Sequence, residues 1–165
     1  MPIAYCLLPI ACSLFPVPYS LFPVPCSLGY MIKAFAIRIQ PDQDLKASLI
    51  NIVKQKTIQA GFILTAVGSL KQANLRFANQ NTTQLFIEKF EIVSLVGTLS
   101  IHGVHLHISL ADKNGKVIGG HLAEDCIIYT TAEIVIGTSE EFSFLRTLDQ
   151  KTGYKELEVR NKNVV

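Results

Sequence analysis

Three histidines fall within one short stretch, GVHLHISLADKNGKVIGGHL (Gly103–Leu122): His105, His107 and His121. The fourth histidine of the chain, His102, lies just ahead of it. Neutral imidazoles gathered on one surface are the first requirement of an open zinc-type site. There, three nitrogens at about 2.0–2.1 Å from the ion leave one position for water or substrate. Whether these three rings can meet depends on strand parity and on a single turn.

In a strand, alternate side chains share a face. Val104, Leu106, Ile108 and Leu110 then form an aliphatic face, while His105, His107, Ser109 and Ala111 share the other with Gly103. His102 has the opposite parity and is excluded as a ligand. Asn114-Gly115 is a strong hairpin signal. With a two-residue loop, Lys113 faces Lys116 and His121 is set opposite Ile108, on the aliphatic face. With a three-residue loop, Lys113-Asn114-Gly115 with Gly115 left-handed, Asp112 faces Lys116, Ser109 meets Gly119 and His107 meets His121. A one-residue slip therefore makes or destroys a three-histidine cluster. The longer loop is predicted, because the shorter one buries His121 among aliphatics and opposes two lysines. Gly119 and Gly120 fit this register, since glycine inside a strand marks a bulge or a close approach.

Ser109 and Glu133 are candidates for contacts to the histidines or to a bound molecule. Glu91 and Glu133 are acid–base candidates only if they reach the same pocket, and a buried ion pair or backbone clamp is the alternative for Glu91. For each ring the plain alternative is a hydrogen-bonded structural histidine, and spacing alone leaves both readings open.

The elements that must position these side chains are mostly strands. Residues 32–39 (IKAFAIRI) read as a strand, broken by Pro41-Asp42. Asp42 or Asp44 can cap a helix running to about Lys56, with Leu45, Leu49, Ile52 and Val53 on its buried face. Gly61 follows as a stop. Strands are expected at 62–70, 73–78, 83–101 (as two), 104–111, 116–122 and 126–137, all rich in Val, Ile, Thr, Phe and Tyr. No βαβ alternation is visible, so the class is α+β: a mainly antiparallel sheet with one main helix. From Ser139 the chain is more polar, with one further strand expected at Glu156–Arg160. The domain is bounded at 31–145, with 146–165 as its C-terminal extension.

The chain has 165 residues, 49% of them hydrophobic and 17% charged, and a net charge of +2. That suffices for one folded domain with a real core. No run of Lys or Arg marks a nucleic-acid footprint, so support for DNA as a partner is weak. Of the four cysteines, Cys6, Cys12 and Cys26 lie near the N-terminus and Cys126 is alone in the body. No CxxC pair exists, and a reduced cytoplasmic protein with one buried thiol is expected.

Residues 1–30 carry no charge and repeat with a seven-residue period, as in CSLFPVP and YSLFPVP. Their prolines break any helix, no apolar run nears the roughly 20 residues of a membrane span, and no basic n-region marks a signal peptide. A tandem seven-nucleotide DNA repeat, read through three frames, yields such a period. The expected reading is a mis-called start, with the true start at Met31; a Pro-rich docking arm is the alternative.

KFEIVSLVGTLS (Lys89–Ser100), HLHISLADKNGKVIGGHL (His105–Leu122), CIIYTTAEIVI (Cys126–Ile136) and AVGSL (Ala66–Leu70) resemble the plants-and-prokaryotes-conserved (PPC) domain, from Met31 to about Leu145. The resemblance implies an antiparallel α+β fold assembled as a homotrimer. It also implies that His105, His107 and His121 hold a metal, zinc, as their equivalents do in several prokaryotic members. Plant members add AT-hooks that enter the DNA minor groove, and no such segment occurs here. A stand-alone bacterial type is implied, with a regulatory or DNA-associated role resting on kinship. The fold is also similar to that of acetolactate decarboxylase, a zinc enzyme. The alternative is therefore a metal-dependent lyase or hydrolase acting on a small oxygenated metabolite.

Overall fold

Antiparallel pairing dominates, and one helix closes the core. In chain order the elements are β1 (Ile32–Ile39), α1 (Leu45–Gln55), β2 (Gly61–Arg76), β3 (Gln84–Phe86), β4 (Phe90–Ser100), β5 (Gly103–Ala111), β6 (Val117–Leu122), β7 (Ile127–Ser139), β8 (Phe142–Leu148) and β9 (Lys155–Asn161). The computed structural model describes residues 31–163. The proline-rich repeat of residues 1–30, on which the expected start rests, lies outside the described residues. No helix among those residues is long and apolar enough to cross a membrane.

The main sheet runs β1-β7-β2-β4-β5-β6, with β3 on the side of β2. The far edge then returns: β6 pairs with the end of β2 through Leu75↔Leu122 and Arg76↔His121. Thus β2, β4, β5 and β6 close on themselves, and β6 is not left as an open edge. The closure needs a long, curved β2. Residues expected to form two strands form one of 16 residues, whose register against β7 shifts at Ile63/Thr65, Gly68/Leu70 and Leu70/Gln72. Such bulges increase the local twist of a strand without ending it.

Asp44 caps α1 by accepting from the Ala47 amide at 2.6 Å, and its other oxygen accepts from the Asp125 amide at 2.6 Å. One carboxylate thus starts the helix and holds the segment leading into β7. Leu45, Leu49 and Val53 of α1 are fully buried, whereas Ile52 is only partly covered. They join Leu70, Leu75, Leu99, Ile108, Leu110, Ile128, Ile134 and Ile136 in one core. Burying each such side chain stabilises the fold by roughly 1.5–3 kcal/mol.

Beyond the main sheet, β8 and β9 form a two-stranded hairpin with Phe142↔Asn161 and Leu148↔Lys155 at its ends. The Phe144 amide donates to the Gln59 carbonyl at 2.9 Å, which ties the hairpin to the turn before β2. β9 matches the strand expected at Glu156–Arg160. β8 was not expected, and it runs through the 145/146 division. Cys126 is buried, its thiol donating to the Asn74 carbonyl while the Asn74 amide donates to its sulfur. Burial pushes that thiol up to about 11.

Candidate metal centre

The β5–β6 turn has the longer of the two loops considered. The Gly115 amide donates to the Asp112 carbonyl and the Asp112 amide to the Lys116 carbonyl, both at 2.9 Å. Gly115 has φ +77°, the left-handed value this turn requires. The Asp112 carboxylate accepts from the Asn114 and Lys116 amides, which locks the bend. His107 then pairs with His121, Ser109 with Gly119 and Ile108 with Gly120. Leu106, Ile108 and Leu110 point into the core, and the histidines share the outer face.

The rings converge. His105 Nε2 is 3.2 Å from His121 Nδ1 and 3.3 Å from His107 Nε2. One nitrogen from each ring lies within 4.8 Å of the other two. The His105 and His121 rings are stacked 11° from parallel with centroids 5.1 Å apart, and His107 meets both edge-on. A tetrahedral ion with nitrogen ligands at about 2.0–2.1 Å requires ligand–ligand edges of about 3.3 Å. Two of the three edges are already at that length.

The electrostatics favour the neutral, metal-ready form. Burial, with Arg76 and the other two histidines adding to it, holds His121 down at about 4. Burial also lowers His105, followed by the positive charge of Arg146, while Glu156 opposes the shift. Both shifts favour the neutral imidazole, the form in which a ring nitrogen has a lone pair to offer a metal.

Gly120 is where β6 meets the end of β2. A Cβ there would stand 2.9 Å from the Arg76 carbonyl oxygen and 3.5 Å from the Phe77 ring. At Gly119 a Cβ would meet the Ile108 carbonyl at 3.0 Å and Ser109 Oγ at 3.2 Å, so that hydroxyl lies over Gly119 of β6. Glu133 stands across from Arg38 on β1 and Val67 on β2. Glu91 pairs with Ser69 and Ala111. Neither glutamate lines the hollows at the histidines. His102 is exposed in the β4–β5 turn, its amide donating to Ser100 Oγ.

Two adjoining hollows meet at His105, His121 and Arg76, with volumes of about 310 and about 450 Å³. Lys46, Thr83 and Val104 complete part of the smaller wall. The larger is walled by Asn79 and, from the β8–β9 hairpin, by Arg146, Tyr154, Lys155 and Glu156. Sequence reading missed all of these except the histidines. The signal that could have found the hairpin was FSFLRTL (142–148), whose spacing to Glu156–Arg160 suits a strand pair.

The family model for the Plants and Prokaryotes Conserved domain matches residues 28–140. The chain belongs to this family. A curated relative, the bifunctional protein GlmU of Synechococcus sp. (strain JA-2-3B'a(2-13)), is 49% identical over 129 residues, 78% of this chain and 20% of that one. The chain thus spans about a fifth of the length of the curated relatives it matches. Among solved structures, a hypothetical protein from Salmonella enterica is 34% identical with a TM-score of 0.79, covering 81% of this chain and 96% of that one. A protein from Archaeoglobus fulgidus described as metal-containing is 25% identical with a TM-score of 0.69, covering 78% and 96%. A third, from Bacteroides thetaiotaomicron and provisionally described as DNA-binding, is 24% identical with a TM-score of 0.68 over 78% and 96%. The PPC match stops before β8, so the hairpin wall of the larger hollow lies outside it.

Proposed function

We propose that this protein is a zinc-binding PPC module that works in the cytoplasm as a homotrimer in a regulatory role. His105, His107 and His121 hold the ion. The observation that carries the reading is the pair of nitrogen separations, 3.2 and 3.3 Å, which match a tetrahedral edge. When bound, the ion supplies a Lewis acid with one open position. Three imidazoles with no carboxylate in the cluster suit zinc better than magnesium or calcium, which take oxygen ligands. The Archaeoglobus fulgidus neighbour described as metal-containing supports a metal in this fold.

A second copy of the chain is the expected cover for the outer sheet face. Leu64 and Val67 of β2 and Val93 and Val96 of β4 are each at least half exposed, and Val96 stands directly across from His107. An apolar row beside the metal site is the kind of surface that symmetric assembly buries. Direct DNA contact rests on kinship and on a neighbour's provisional description, while the net charge of +2 offers little phosphate attraction.

The test is metal analysis of purified protein beside its His105→Ala and His121→Ala variants. Near-stoichiometric zinc in the parent and a loss of about a hundredfold in affinity in each variant are expected. Equal metal in all three overturns the assignment. A metal-dependent lyase or hydrolase is the second reading. It is favoured by Glu156, a carboxylate in the same hollow as His105 and His121.

A further inference from the structure

We infer that the larger hollow is a binding site for a small oxyanion-bearing molecule, gripped by Arg76 and Arg146 beside the histidine cluster. The inference rests in part on the proposed metal centre, but its main supports are the chain's own cations. Arg76 comes from the end of β2, at the point where that strand pairs with His121. Arg146 comes from β8. Its stem crosses the start of β5 so closely that a Cβ on Gly103 would stand 3.2 Å from Arg146 Cγ. Lys155 adds a third cation to the wall.

Two arginines in the wall of one cavity set like charges around it, which an anion bound there would offset. The ion pairs of the described residues are Lys33–Glu140, Lys71–Asp42 and Arg160–Glu158, none of which involves Arg76, Arg146 or Lys155. Arg76 Nη1 donates to the Gln80 carbonyl, a neutral partner that orients the group without cancelling its charge.

Glu156 is the single carboxylate in the wall, and Thr152 Oγ1 donates to it at 3.2 Å. It leaves two donor forks in excess and adds one acceptor, which suits a ligand carrying a hydroxyl as well as an oxyanion. A guanidinium fork matches the paired oxygens of carboxylate or phosphate. The volume of about 450 Å³ is that of a small-molecule site, not of a polymer groove.

The experiment is calorimetric titration of the full chain with inorganic phosphate and, separately, with malonate. Each titration uses the parent, Arg146→Gln, Arg146→Lys and Arg76→Gln. Zinc content and circular dichroism are measured on the same samples. The parent is expected to bind one of the two anions. Arg146→Gln and Arg76→Gln should each weaken it tenfold or more with unchanged dichroism, and Arg146→Lys should weaken it less. Which probe binds tells phosphate from carboxylate. Failure of both anions to bind the parent, or equal affinity in Arg146→Gln and parent, overturns the inference. Anion binding that depends on both arginines in protein devoid of zinc sustains the inference while the metal assignment fails. Full zinc with no anion binding does the reverse.

Discussion

His107 on β5 stands directly across from His121 on β6, and that one pairing places three imidazoles on a common face. The pairing is set six residues away, by the left-handed Gly115 and the Asp112 carboxylate that accepts from the Asn114 and Lys116 amides. Deleting Gly119 with the turn intact moves His121 into the place of Gly120, opposite Ile108, and turns its ring toward the aliphatic interior. Zinc per chain, read by elemental mass spectrometry, should fall from about one to below about a tenth. His102→Ala, a change in the exposed β4–β5 turn, should leave the zinc content unchanged.

The metal-free protein should lose stability in mild acid. Burial holds His121 at about 4 and lowers His105, whereas both titrate near the ordinary histidine value of 6.5 once unfolded. Between those limits the unfolded chain binds more protons than the folded one, so unfolding becomes easier as the pH falls. The contribution is intact above pH 6.5 and is lost progressively toward pH 4. Urea midpoints measured across this window should fall for the parent, and fall less for His121→Ala. Identical slopes for the two proteins would remove His121 as the source.

Cys126 should resist alkylation while the domain is folded. Its thiol is buried, exchanges hydrogen bonds with the Asn74 backbone, and is pushed up to about 11, so the thiolate is scarce at pH 8. Peptide mapping after iodoacetamide treatment should show Cys126 unmodified in buffer and modified in denaturant. Modification at equal rates in both conditions would contradict its burial.

Much of the fold was legible because single residues enforce it. Of the two acidic residues after Pro41 it is Asp44 that caps the helix, and Leu45, Leu49 and Val53 recur at helical spacing. The β5–β6 register was legible in Asn114-Gly115, since only one loop length keeps His121 out of the aliphatic face. The continuity of β2 was not. Lys71-Gln72 reads as a break, and only the bulges around Leu70 and Gln72 carry the strand through it. The arginines of the larger hollow were equally hidden. Arg76 and Arg146 lie 70 residues apart and look like ordinary strand-end cations until closure of β6 onto β2 and docking of the β8–β9 hairpin bring them to one cavity. Glu133 was a reasonable candidate by composition, but its β7 position sets it beside Arg38 and Val67 instead.

Gly120 and Gly115 should respond very differently to substitution, although both lie on the same hairpin. A Cβ at Gly120 meets the Arg76 carbonyl oxygen at 2.9 Å, a backbone atom that cannot step aside without parting β6 from β2. Gly120→Val should therefore cost about 1–3 kcal/mol, in the range of an overpacked site. It should also weaken zinc binding, since His121 is the next residue and is held by its pairing with Arg76. Around Gly115 nothing lies within 4 Å, and only its φ of +77° restricts the choice. Asparagine tolerates that conformation, so Gly115→Asn should cost under about 1 kcal/mol and keep the zinc. Urea unfolding and zinc content of the two variants decide the matter: equal penalties would mean that the β2–β6 contact does not close the site.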